Sequence, residues 1–462
     1  MNLVDRVIAV RDRVSTLSPR IQALALYLPV LVVAALIRLI NLGNPRALIF
    51  DEIYYVRDAW TLWNLGYEAE WSATSDFVGG TTSAFTTDPS FIAHPPLGKW
   101  LIGAGMALFG PDNSFGWRFS TAVAGIVVVL LTMLIARRLF RSSTAVVLAG
   151  IIVSLDGVAI TMSRTALLDG ILAAFILGAF LVILRHLDRP GCGQWLFVAG
   201  ILLGASAAVK WSGFYALAAF GLWVTVDYVQ RLGGRAAIWP ILRAVLLAVP
   251  AALVTYLASW SGWLLSSGGY DRQSVVIEGN PIGSALASLW TYHSAILEYN
   301  IGLVAPHGYQ ANPFTWLLMI RPTAFYYEPT CGDGCTEYVT SVANPIFWYF
   351  GVVALVWLIV HVVRTRSTSG IPILVGVAAT YLPWLFFAHR TVFQFYTVTL
   401  EPFLALAAVW LFLRLWRNGW ESLVTGLVVA GGVVAAFFLP VWMGLPIPVW
   451  FAAAHYWFPW WI

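Results

Sequence analysis

Apolar residues run along this chain in blocks approaching the ~20 residues that cross a bilayer, with polar residues gathered between the blocks. Eleven blocks read as membrane helices, at residues 22–42, 118–136, 143–160, 166–184, 195–209, 213–229, 240–260, 345–363, 371–388, 392–413 and 422–442. Most connections are short, but two segments, 43–117 and 261–344, are long. Within the first, Leu97 to Phe109 is apolar yet too short to span comfortably. Pro95 and Pro96 precede it and Gly110-Pro111 closes it, so an interfacial or re-entrant helix is predicted. The pattern predicts an all-α polytopic membrane protein, one domain over residues 1–462. Residues 1 to 21 are mixed polar and apolar, and the apolar run from Ile21 continues into a span, so a retained anchor is expected in place of a cleaved signal peptide.

Composition agrees: 60% of the 462 residues are hydrophobic and only 10% charged, too apolar for an ordinary soluble domain. The net charge of +4 comes without a basic run, so nothing points to nucleic acid. The charges instead set topology. A cytoplasmic N-terminus puts Arg6, Arg11, Arg13 and Arg20 inside, together with every Arg-rich loop, such as that of Arg137, Arg138 and Arg141. Asp51, Glu52, Asp58, Glu68, Glu70, Asp76, Asp88 and Asp112 then fall in the first outer loop. Function is expected on that outer face, where long loops stand on a rigid scaffold, and the C-terminus is expected outside as well. Cys331 and Cys335, in CGDGC, lie on the same oxidising side and suit a local disulfide, whereas Cys192 falls inside. Two thiolates without further spaced ligands argue against zinc, and no metal cluster is expected. No glycine loop of a nucleotide-binding kind is present, which disfavours a soluble nucleotide-sugar donor.

The adjacent Asp51 and Glu52 stand just beyond the first span of a chain poor in charge, and carboxylates near lipid need compensation. On a helix they diverge by about 100°, so one acting base with a second, orienting residue is more economical than a facing acid/base pair. That suits glycosyl transfer from a phosphate, a leaving group that needs little protonation. Capping of a helix N-terminus explains the pair equally well. AHPPLGKW adds His94 and Lys99, a cation placed to take a phosphate or simply to snorkel. Arg118, in GWRFSTAVAG, sits at the mouth of the second span with a guanidinium suited to phosphate, or equally to neutralising Asp112 or the acidic loop. In SRTALLDG and VKWSGFY, Arg164, Asp169 and Lys210 read as structural at least as readily as functional. Arg390, Gln394, Thr397 and Glu401 follow i, i+4, i+7, i+11 spacing, a polar stripe about 16 Å long on one predicted helix. Its outer end, Arg390 and Gln394, could grip a lipid phosphate, with Glu401 as a buried structural partner; a proton path is the alternative. His307 lies among aromatic residues of the second loop, in a setting suited to sugar or peptide, although an interfacial aromatic belt and a loop hydrogen-bonding His explain it as well.

Taken in order, FDEIYY, AHPPLGKW, GWRFSTAVAG, SRTALLDG, VKWSGFY and RTVFQFY resemble the protein O-mannosyltransferase family in its actinobacterial form. The resemblance implies a GT-C fold. It also implies an inverting transfer of mannose from a polyprenyl phosphate to Ser or Thr of exported proteins, without a metal or other cofactor, at the outer face of the cytoplasmic membrane, with the export machinery as an expected neighbour. Carried onto this chain, it makes Asp51 the base, Glu52 an acceptor-positioning residue and Arg118 a donor-phosphate or organising residue. The large soluble sugar-binding-like insertion of eukaryotic members is missing from the second outer loop. A GT-C enzyme with a lipid or glycan acceptor is the second reading. A transporter ranks third, because the charges gather at one face and not at the midplane. A structural scaffold ranks last.

Overall fold

The computed structural model describes residues 19–72, 77–332 and 334–461. Arg6, Arg11, Arg13, Asp76 and the central Asp333 of CGDGC lie outside them. All eleven expected blocks are helical over most of their length: α1 (Pro19–Leu39), then, past the first outer segment, α4 (Ser114–Phe140), the pair α5 (Ser143–Ser154) and α6 (Gly157–Ser163), α7 (Leu168–Asp188), α8 (Gly193–Val209), α9 (Gly213–Leu232), α10 (Ile238–Ser259), α12 (Pro345–Thr365), α13 (Ile371–Leu385), α14 (Glu401–Arg417) and α15 (Glu421–Met443). The first outer segment holds α2 (Glu52–Leu65) and α3 (Leu97–Phe109), the short apolar helix predicted there; the second holds α11 (Pro281–Gly302). Judged by length and composition alone, six described helices can cross a membrane, or seven if α5 and α6, bent by 63°, form one span. The remaining blocks are helical but too short or too polar for that test.

Three expectations change. The chain is not wholly helical outside the bundle: β1 (Ala69–Trp71) pairs antiparallel with β2 (Phe85–Pro89), and β3 (Ala324–Thr330), β4 (Cys335–Thr340) and β5 (Pro446–Pro448) form an antiparallel sheet in that order. Segments outside the hydrocarbon are free to close hydrogen bonds between strands, and CTEYVT has the β-branched and aromatic content to do so. Cys331 and Cys335, which flank the tip of the β3–β4 hairpin, are free thiols. The block at 392–413 is also not one helix. Residues 394–399 form a 3₁₀ turn and α14 begins at Glu401. Pro402 has no N–H to donate, so it fits the first turn of α14 and bars a continuous α-helix through it. Arg390 and Gln394 therefore do not share a helical stripe with Glu401.

The core is built on α7 and α14, buried along nearly all of their apolar length, as expected for helices apolar all round. α8 crosses α10 at backbone distance. A Cβ on Gly200 or Gly204 would stand 2.3 Å from the carbonyl oxygen of Ala248 or Ala252, so only glycine permits the crossing. The two outer segments close over one end of this bundle.

Candidate active site

The site is organised from the N-terminus of α2. Glu52, its first residue, is wholly buried and accepts hydrogen bonds at both oxygens: Oε1 from Arg118 Nε (2.8 Å) and the Ala166 amide (2.7 Å), Oε2 from Arg118 Nη2 (2.8 Å) and the Ile49 amide (3.0 Å). Arg118 spends its remaining donors on the carbonyls of Leu42, Pro45 and Ala47. The bidentate pair thus ties the 42–49 loop, α2, α4 and the turn before α7 together. Two expectations are corrected here. With every guanidinium N–H engaged, Arg118 has no donor left for a phosphate, and Glu52 does not line the cavity where an acceptor would sit. Both hold Asp51 in place, the organising role that was the other expectation for Arg118.

Phe50, just before Asp51, has φ 50°, in the left-handed region that costs a bulky side chain on the order of 1–3 kcal/mol. Its ring is held edge-on by His307, Phe325, Phe393 and Phe395, at centroid distances of 5.1 to 5.6 Å. This aromatic clasp turns the chain so that Asp51 faces inward. His307 contributes to the clasp from an exposed loop, with its Nδ1 accepting from the Tyr309 amide, and it does not line the cavity.

Asp51 borders a cavity of about 400 Å³, a size suited to a small ligand. Its side chain makes no capping hydrogen bond to α2, which removes the capping explanation. Burial pushes its carboxyl up to about 6; the Lys210 cation opposes this and the Asp169 carboxylate reinforces it. Tyr55, Asp58, His94 and Lys99 share its side of the cavity. Burial, aided by Lys210, Lys99 and Arg390, drives the His94 imidazole well below its usual range, so the ring is neutral at physiological pH. Lys99 is buried, 2.5 Å from Glu68 and 3.7 Å from Asp58, and its charge is therefore already met. Neither the free phosphate ligand nor the snorkelling lysine expected at this position is found; two carboxylates partner it instead.

The cavity lining also includes Lys210, Asn300 and Arg390 among Trp211, Tyr215, Trp384, Phe387 and Tyr396. Lys210 donates to both oxygens of Asp169 (2.9 and 3.1 Å) and lies over the Tyr396 ring at 3.8 Å. Arg390 donates one hydrogen bond to Asn300 (3.2 Å), and its buried Nε has no partner among the described residues. Of the expected phosphate ligands it alone lines the cavity with no carboxylate paired to it among the described residues. Gln394 is buried outside the cavity and bonds to Ser341 and Thr397, contrary to expectation. Lys210 was undervalued in the sequence because Asp169, 41 residues earlier, gives no local sign of the pair. Arg164 is structural, capping the end of α1 through the carbonyls of Ile37, Arg38, Ile40 and Asn41.

The helical bundle with its two long connecting segments has the fold of the GT-C membrane glycosyltransferases. The S. cerevisiae protein O-mannosyltransferase Pmt1-Pmt2 complex bound to the sugar donor shares this fold, with a TM-score of 0.75 and 14% identity over 95% of this chain and 92% of that one. The chain belongs to the dolichyl-phosphate-mannose-protein mannosyltransferase family, whose family model matches residues 29–266. The polyprenol-phosphate-mannose–protein mannosyltransferase of Mycolicibacterium smegmatis is 32% identical, covering 84% of this chain and 81% of its own. Its counterpart in Mycobacterium tuberculosis is 30% identical, over 93% and 90%.

Proposed function

We propose that the protein transfers mannose from polyprenyl-phosphate mannose to Ser or Thr hydroxyls of exported polypeptides, with inversion, at the extracytoplasmic face of the cytoplasmic membrane. In this reading the N-terminus is cytoplasmic, the C-terminus lies outside, and the export machinery is a neighbour. Asp51 takes the proton of the acceptor hydroxyl as its oxygen bonds to the anomeric carbon. The bond from that carbon to the phosphate oxygen breaks, and the charge left on the polyprenyl phosphate is met by Arg390, assisted by Lys210. Since these cations meet that charge, the reading assigns no step to a metal. Glu52 and Arg118 keep Asp51 in register.

The observation that carries this reading is Asp51 itself, a carboxylate free of capping duty and raised in basicity, facing a cavity that is also lined by Arg390 with unspent donors. The test supplies purified protein in vesicles with labelled polyprenyl phosphomannose and either an exported Ser/Thr peptide or a lipid-linked glycan. Label is expected on the peptide, with the anomeric configuration inverted relative to the donor. Label on the glycan alone would move the protein to the second reading.

A further inference from the structure

Asp58 and Lys99 border the same cavity as Asp51, yet the transfer chemistry leaves them without a task. We propose that they form the subsite that reads hydroxyls of the transferred sugar at the end of the cavity away from the reacting carbon. The proposal rests on the mannosyl-transfer reading and deepens it.

Asp58 follows Asp51 by seven residues along α2, two turns and about 10 Å up the same face. A hexopyranose with one hydrogen bond at each end needs a span of roughly that length. Lys99 Nζ stands 3.7 Å from Asp58 Oδ2, too far for a direct hydrogen bond. One hydroxyl oxygen can lie at ordinary hydrogen-bonding distance from both, accepting from the ammonium and donating to the carboxylate. A sugar hydroxyl does both at once; a phosphate oxygen only accepts. A phosphate is disfavoured for a second reason, because Asp58 and Glu68 outweigh the single charge of Lys99.

The surroundings fit a ligand that supplies hydrogen bonds. Burial, reinforced by Glu68 and opposed by Lys99, pushes the Asp58 carboxyl up to about 7, so a donated hydroxyl would restore part of the solvation that burial removed. Glu68 holds Lys99 from behind at 2.5 Å and fixes the ammonium without itself bordering the cavity. His94, its ring 6.1 Å from that of Tyr55, stands on the same wall and offers a neutral ring beside the bound sugar.

The test is a cycle between enzyme and substrate. Purified full-length protein is assayed with polyprenyl phosphomannose and with donors lacking the hydroxyl at C3, C4 or C6, at saturating Ser/Thr peptide. For the wild type, at least one deoxy donor should lose about 10- to 100-fold in kcat/KM, the range for a hydrogen bond to a charged group. Asp58→Asn should lose a similar factor with the full donor and then no longer distinguish it from that deoxy donor, while the peptide KM stays unchanged. Wild-type protein that uses all three deoxy donors as well as mannose would overturn the proposal, and this arm needs no variant to fold. A folded Asp58→Asn protein that keeps the wild-type discrimination, or raises only the peptide KM, would overturn it too. Wild-type protein that transfers no mannose would instead bring down the functional reading, and this subsite with it.

Discussion

Replacing Asp51 by Asn preserves the size of the side chain and removes its charge, so it separates what the carboxylate does for catalysis from what it costs the fold. The carboxyl is pushed from 3.8 to about 6 in the folded protein, chiefly by burial. A displacement of that size corresponds to about 3 kcal/mol. Because the folded state binds the proton more tightly than the unfolded chain, stability falls as pH rises from about 4 through 6, and the full cost is present above 6. Asn does not titrate and escapes it. Asp51→Asn should therefore raise the unfolding temperature at pH 7.5 by a few degrees, with the advantage shrinking to nothing near pH 4. In the same preparation, mannosyl transfer should fall about 10²- to 10⁴-fold, the range for loss of a positioned general base. Thermal unfolding followed across pH, alongside the labelled-peptide assay, reads both effects. Full activity in the variant would refute the base. A pH-independent stability difference would refute the account of a carboxylate held at a desolvation cost.

Other outcomes follow from the same geometry. In the wild type, kcat/KM should rise with pH to a midpoint near 6 and then level off, since only ionised Asp51 accepts a proton; a flat profile between pH 5 and 7 would contradict this. Glu52→Gln leaves the Arg118 guanidinium buried against a neutral amide and should destabilise the protein by about 3–5 kcal/mol, seen as lost yield and a lowered unfolding temperature. Arg390→Ala should raise the donor KM about 10-fold or more, whereas Gln394→Ala, outside the cavity, should leave it within about twofold; donor titrations of the two variants distinguish them.

The candidate site was half legible from the chain. Asp51 could be found because an acid beside a membrane span is conspicuous on chemical grounds, and Arg390 because a guanidinium within an apolar block needs a partner. The polar stripe misled at Gln394, since its spacing assumed an unbroken helix and Pro402 starts a new one. Glu52 and Arg118 looked like substrate groups because each carries charge, but their partners lie 66 residues apart in the sequence and consume every donor. Lys99 misled for the same reason, being matched to Glu68 and Asp58 across a turn that no local pattern reveals.

The order of apolar blocks along the chain was enough to set the helices, the two long connecting segments and the class of membrane protein, because hydrophobic burial depends on composition over about twenty residues at a time. Which charges are spent on one another and which remain for a ligand was decided only when the helices packed. Charge pairing is short-ranged in space and indifferent to separation along the chain, so Glu52 closes on Arg118 away from the cavity, whereas Asp51, Asp58 and Arg390 face it together with Lys99 and Lys210, each cation held there by a carboxylate, Glu68 or Asp169.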